Sequence, residues 1–212
     1  MKWPNIIYRR DVSKYIEAED DQFDCISLYK DIDYFADDTT YTAFIKQVER
    51  TVRTSKDYDA FIHQVKNTYG LDFCQVCSKL TGQDVTIEMH HGPIFTLYDI
   101  AEVILNKFIK TGYKINTLRV ADAVLQEHFD LRVQIVMLAI THHEAAHNKD
   151  IFLNLKQGFG DIAAFIDMYQ AYLEPNQKYK IYNYVNLCKN NDSFDKGILD
   201  VERIGKMIRL DD

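Results

Sequence analysis

Apolar residues recur at three- and four-residue intervals over several stretches of the chain, the spacing that places them on one face of an α-helix. Phe44, Ile45, Val48 and Val52 predict a helix over 40–55, and Phe61, Ile62 and Val65 predict another over 58–69 with Gly70 as its stop. Leu97, Ile100, Val103, Ile104 and Phe108 predict an amphipathic helix over 96–109, followed by one over 120–129. Val85-Thr86-Ile87-Glu88-Met89 reads as a short strand, and it runs into His90-His91-Gly92-Pro93, where glycine and proline enforce a turn. The stretch 133–139 is continuously apolar and partly β-branched, which suits a second short strand or the start of a buried helix; periodicity does not separate the two. Further helices are expected from 143 to about 155, over 161–173 after the Gly158-Phe159-Gly160 break, and near 200–208. Residues 1–38 read as an irregular, acidic arm dotted with aromatics. The pattern as a whole predicts a mainly α chain with a small β-hairpin.

Composition supports one packed unit and narrows the class. With 47% hydrophobic and 27% charged residues, few glycines and prolines, and 212 residues in all, the chain is long enough for a sizeable core. The N-terminus lacks the apolar run of a signal peptide and no stretch approaches a membrane span, which places the protein in a cytoplasm with no membrane partner. A net charge of −7 argues against coating nucleic acid by bulk electrostatics. The acidic excess lies early, from Asp11 to Asp38, and marks the arm as a surface for a protein partner. In contrast Lys107, Lys110, Lys114 and Arg119 form a basic run without intervening acids, either a solvated helix end or a local phosphate-binding surface.

The chemistry of the chain is concentrated in its histidines. Five of the seven fall in two clusters, His90-His91 and His142-His143-x-x-x-His147. On a helix, His143 and His147 project from one face about a turn apart, a separation one metal ion bridges, and the turn at His90-His91 is the natural source of a third imidazole. The four cysteines do not form a disulfide framework; Cys74-Gln75-Val76-Cys77 suits a metal knuckle, or else a pair of reduced core thiols. His63 and His128 lie within helical patterns and read as surface or boundary residues. Trp3 and Tyr169, Tyr172, Tyr179, Tyr182 and Tyr184 offer faces for base stacking, though such aromatics more often pack a core or a partner.

Taken in order, Glu88-x-His90-His91 with Pro93, then Gln134, His143 and His147, resembles the HNH (ββα-metal) motif of endonucleases, in particular colicin-type DNases and phage HNH proteins. The likeness covers about residues 85–150. It implies a ββα-metal core over 71–157 with a helical insertion at 96–130, flanked by helical decoration at 1–70 and 158–212, the whole forming one compact unit. It also implies that His90, His143 and His147 hold one divalent ion (Zn, Ni, Mn or Mg), that His91 is the general base, and that Glu88 orients an imidazole. Gln134 stands where the family has an Asn. By the same resemblance, Cys74, Cys77 and His142 supply three ligands of a second, structural zinc.

The function implied is metal-dependent hydrolysis of DNA phosphodiester bonds. An alternative is a catalytically degenerate HNH-fold structural or interaction protein of phage type, which would work in the host cytoplasm. A third reading comes from His143-Glu144-Ala145-Ala146-His147, which also satisfies the His-Glu-x-x-His signature of zinc metalloproteases and would draw its third ligand from Asp161 or Asp167. The spacing alone does not say which metal is native or how many copies assemble.

Overall fold

The computed structural model describes residues 29–189. The expected helix over 200–208, most of the acidic arm, Trp3 and Cys25 lie outside these residues. Between them the chain forms α1 (Asp38–Arg53), α2 (Lys56–Asn67), β1 (Ile87–His91), α3 (Leu97–Thr111), α4 (Thr117–Phe129), β2 (Ile135–Ala139), α5 (Ile140–His147), α6 (Ile162–Tyr169) and α7 (Pro175–Lys189), with short 3-10 turns at Ile32–Phe35, Leu155–Gln157 and Gln170–Tyr172. The fold is thus mainly helical with a small antiparallel sheet.

Each early helix begins where a side chain can satisfy an orphan amide. Asp37 accepts from the Thr40 amide, Ser55 from that of Tyr58, and Asn116 from that of Arg119. Thr96 and Asp99 cap each other reciprocally at the start of α3, and Gly112, at φ 72°, ends that helix in the left-handed conformation a glycine adopts without penalty. Helices α1, α3 and α4 pack on one another, with α2 against α1 and α4. Helix α3 is buried nearly all round, Asp99, Glu102 and Asn106 included. Those polar groups face partners: Lys180 Nζ lies 2.5 Å from Asp99 Oδ1, Gln177 Nε2 donates to Glu102 at 2.6 Å, and the Tyr41 hydroxyl donates to Asn106 at 2.8 Å. Two of these contacts fasten α7 to the central helix.

The ambiguous run at 133–139 is a strand. β2 pairs with β1 antiparallel, with Ile87 opposite Ala139, His90 opposite Val136 and His91 opposite Ile135. Its other edge is covered too. Ile135 exchanges both backbone hydrogen bonds with Phe159, at 2.9 and 2.7 Å, and Gln75 bonds Met137 through its own amide and its side chain, at 2.8 and 2.6 Å. That is why every residue of β2 is buried and why its sequence shows no alternation. The Gly158-Phe159-Gly160 segment, expected as a break, is therefore a pairing edge. A Cβ on Gly160, whose φ is +107°, would sit 2.1 Å from the Val133 carbonyl oxygen.

Two helix boundaries and one histidine placement are corrected, and one helix is added. The helix expected from 143 to about 155 starts at Ile140 and stops at His147. The Lys149 amide donates to Ala146 O and the Asp150 amide to Ala145 O, with Lys149 at φ 64°, which is the closing pattern of a Schellman motif. The helix expected over 161–173 gives way at Gln170 to a 3-10 turn. Helix α7 was not expected, because its buried face combines Ile181, Val185 and Cys188 with the polar Gln177. Proline at its first position was the available signal. His128, expected at a surface or boundary, is fully buried, whereas His63 is exposed. It shares the face of Val120 and Val124, so its spacing already pointed inward.

Candidate metal centre

Strand alternation decides the fate of the histidine pair. Successive residues of β1 point to opposite faces, so Glu88 and His90 turn one way while Ile87, Met89 and His91 turn into the core. Helix α5 packs on both strands and presents His143 and His147 to the face carrying Glu88 and His90.

The ligand nitrogens of His90, His143 and His147 all lie within 4.8 Å of one another. His143 Nε2 and His147 Nε2 are 3.1 Å apart. Two nitrogens bound to one tetrahedral zinc at ~2.05 Å stand about 3.3 Å apart, so the pair is already set for a shared ion. The Glu88 carboxylate bonds His143 Nδ1, which fixes the tautomer with the proton on Nδ1 and leaves Nε2 as a lone-pair donor. Burial, together with the neighbouring imidazoles of His143 and His147, lowers His90 to about 4, so it is a neutral imidazole at physiological pH. Three imidazoles, one of them braced by a carboxylate, match the donor set of a transition ion better than that of magnesium. His147 is exposed, and beside the cluster a groove of about 640 Å³ is lined by His90, Lys149, Asp150, Phe152, Lys180 and Tyr184.

His91 is not part of this centre. It is 6% exposed, stacks on Tyr58 with ring centroids 6.1 Å apart, and places Nε2 2.9 Å from His128 Nε2. His128 Nδ1 bonds the Val124 carbonyl at 2.7 Å and must donate there. Its Nε2 is therefore an acceptor, and His91 Nε2 carries the proton between the two rings. Burial holds both imidazoles below their usual range, His91 well below and His128 at about 4. A base at His91 would first have to leave the core. Gln134 is buried as well, its Nε2 donating to Leu155 O at 3.0 Å, while its Oε1 has no partner among the described residues. Gly158 leaves the room for that side chain, since a Cβ there would lie 2.3 Å from Gln134 Nε2.

The remaining expected residues divide. Cys74, Cys77 and His142 do come together, with Cys74 Sγ 3.2 Å from His142 Nδ1 and all three ligand atoms within 4.8 Å. The Lys79 and Leu80 amides donate to the Cys77 sulfur and lower its thiol below the ordinary range. The protease reading loses its expected ligand: Asp161 caps α6 by accepting from the Ala164 amide, Asp167 is exposed on α6, and His90 occupies the third place beside His143 and His147. Lys107 and Lys110 lie toward the far end of α3, a 15-residue helix that carries them about 15–20 Å from its start. Lys107 stands over the Tyr169 ring, Lys110 lies 3.8 Å from Glu174, Lys114 stands over Tyr29, and Arg119 donates to Lys114 O. Of the tyrosines offered for base stacking, Tyr169 is buried against Phe165, whereas Tyr179 and Tyr182 are exposed on α7.

The whole of this arrangement falls inside a match to the Bacteriophage G278-like virion protein family, over residues 5–210. The chain belongs to that family. No curated protein and no solved structure matches it. Family membership ties the chain to phages, as the resemblance had implied. Among the described residues of this family member, no helix is long and apolar enough to cross a membrane.

Proposed function

We propose that the chain is a phage virion protein built around a ββα-like metal centre, in which His90, His143 and His147 hold one divalent transition ion that staples α5 to the β1–β2 hairpin for assembly. The carrying observation is the division of the histidine pair between the two faces of β1. His90 joins the ligand cluster, while His91, the residue a nuclease of this kind would use as base, is bonded to His128 in the core. The burial of Gln134 points the same way, because the amide at the family Asn position is committed to Leu155. When bound, the ion supplies a rigid cross-link; Glu88 sets the His143 ring to receive it.

The test is to load the purified full chain with Zn, Ni, Mn or Mg, measure stoichiometry and thermal stability, and incubate each form with supercoiled plasmid. The proposal expects one ion per chain lost in His143→Ala/His147→Ala, a higher Tm on loading, and intact plasmid. Reproducible metal-dependent nicking that disappears in that double variant would sink it.

Such nicking would establish the second reading, an HNH-type DNA endonuclease. The exposed edge of the cluster at His147 and Lys149 of the adjoining groove favour that reading.

A further inference from the structure

We propose that Cys74, Cys77 and His142 form a second metal site, one that takes a thiolate-preferring ion of the zinc(II) class and ties the 73–81 knuckle to the start of α5. This goes beyond the imidazole centre, shares no ligand with it, and stands whether or not that centre is filled.

The knuckle is held in a ligating shape by its own backbone. Cys74 donates its amide to Leu80 O at 2.8 Å, Ser78 donates to Cys74 O at 2.7 Å, and Phe73 bridges Thr81. The turn from Cys74 to Ser78 brings the second cysteine beside the first, and Ser78, at φ 54°, reverses the chain after it so that Lys79 and Leu80 run back along the knuckle. The Lys79 and Leu80 amides then point at the Cys77 sulfur and hold it on the inner side of the knuckle. A second set of contacts fixes where this shape sits. Gln75, between the two cysteines, is bonded to Met137 of β2 through both its amide and its side chain. Because α5 continues directly from β2, the knuckle is held opposite His142. The three ligand atoms are mutually within 4.8 Å, and zinc–sulfur bonds of ~2.3 Å place tetrahedral ligands about 3.5–4 Å apart, so closure needs small side-chain movements.

Two thiolates and an imidazole select zinc over magnesium or calcium. On binding, each thiol loses its proton to solvent as its sulfur–metal bond forms, and the imidazole donates the Nδ1 lone pair. Water completes the coordination, since Cys77 and His142 are only partly buried.

Cobalt(II) titration of the reduced full chain, followed by absorption spectroscopy and by metal analysis after zinc loading, tests the assignment. Expected are a sulfur-to-cobalt charge-transfer band and one ion per wild-type chain beyond any held by the imidazole centre. Cys77→Ser should lose the band and one ion. His143→Ala/His147→Ala should keep the band and that ion. Cys77 is the better probe because Cys74 is wholly buried, and His142→Ala gives an independent variant with both thiols intact that should also lose one ion. Absence of the band from folded wild-type protein, or an unchanged ion count in folded Cys77→Ser and His142→Ala, would overturn the proposal.

Discussion

At the scale of single residues, the protein treats neighbouring histidines in opposite ways. His90 and His91 differ in nothing but the side of a strand on which they fall, yet one joins the cluster with His143 and His147 and the other is a core residue. The buried partner gives a pH signature. His128 has a folded value of about 4 against an ordinary 6.5, owing mainly to burial. Between those values the unfolded chain binds a proton that the folded chain does not, so the stability this group contributes is complete above about pH 6.5 and is lost as pH falls toward 4. Thermal melts should show Tm falling across that window. His91→Phe/His128→Leu, which removes the pair together, should flatten the fall. A second residue-scale prediction concerns Glu88: Glu88→Gln keeps the size but weakens the brace on His143, and metal affinity measured by calorimetry should drop about 10–100-fold with little change in fold.

At the scale of elements, α5 is the least self-sufficient part of the structure. It has eight residues, no side-chain N-cap and no buried residue of its own, and a helix so short is not stable alone in water. Its position comes from the hairpin and from the Ile140 amide bonded to Thr86 O, and it carries His143 and His147 to the cluster with His90. Lys149 closes this helix at φ 64°, where a side chain carries a penalty that glycine does not. Lys149→Gly should therefore raise stability by about 0.5–1 kcal/mol in urea denaturation. At Gly160 the opposite holds: Gly160→Ala would press on the Val133 carbonyl and detach the Phe159 edge, lowering the denaturation midpoint.

At the scale of the whole molecule, the polar face of α3 organises packing that the hydrophobic pattern did not disclose. Asp99 is 1% exposed, caps its own helix through Thr96 and faces Lys180 of α7. Asp99→Ala removes the reciprocal half of the capping box and leaves the ammonium without its partner, and should cost about 1–2 kcal/mol, read from the shift in chemical unfolding. Lys180→Met keeps the capping box but leaves the buried Asp99 carboxylate without its counter-ion, and should also lower the denaturation midpoint.

How much of this was legible differs by element. Helices α1 to α4 were readable from local periodicity, because their apolar spacing records the faces they bury, and so was β1, although it starts at Ile87 and takes in His90 and His91, which the glycine and proline had suggested for the turn. So was the juxtaposition of His143 and His147, since helical spacing fixes their separation, and that of Cys74 and Cys77. β2 was not, because strands and helices covered on all sides look alike in sequence. The end of α5 was hidden because a lysine takes the place glycine usually holds. The sequence by itself determined which residues have metal-binding chemistry and that the chain is mainly helical. Only the tertiary structure decided that His90 joins His143 and His147, that His91 pairs with His128, and that His142 meets the cysteines. Those outcomes depend on which face of β1 meets α5 and on where Gln75 docks on β2, relations between segments distant in sequence that no local spacing encodes.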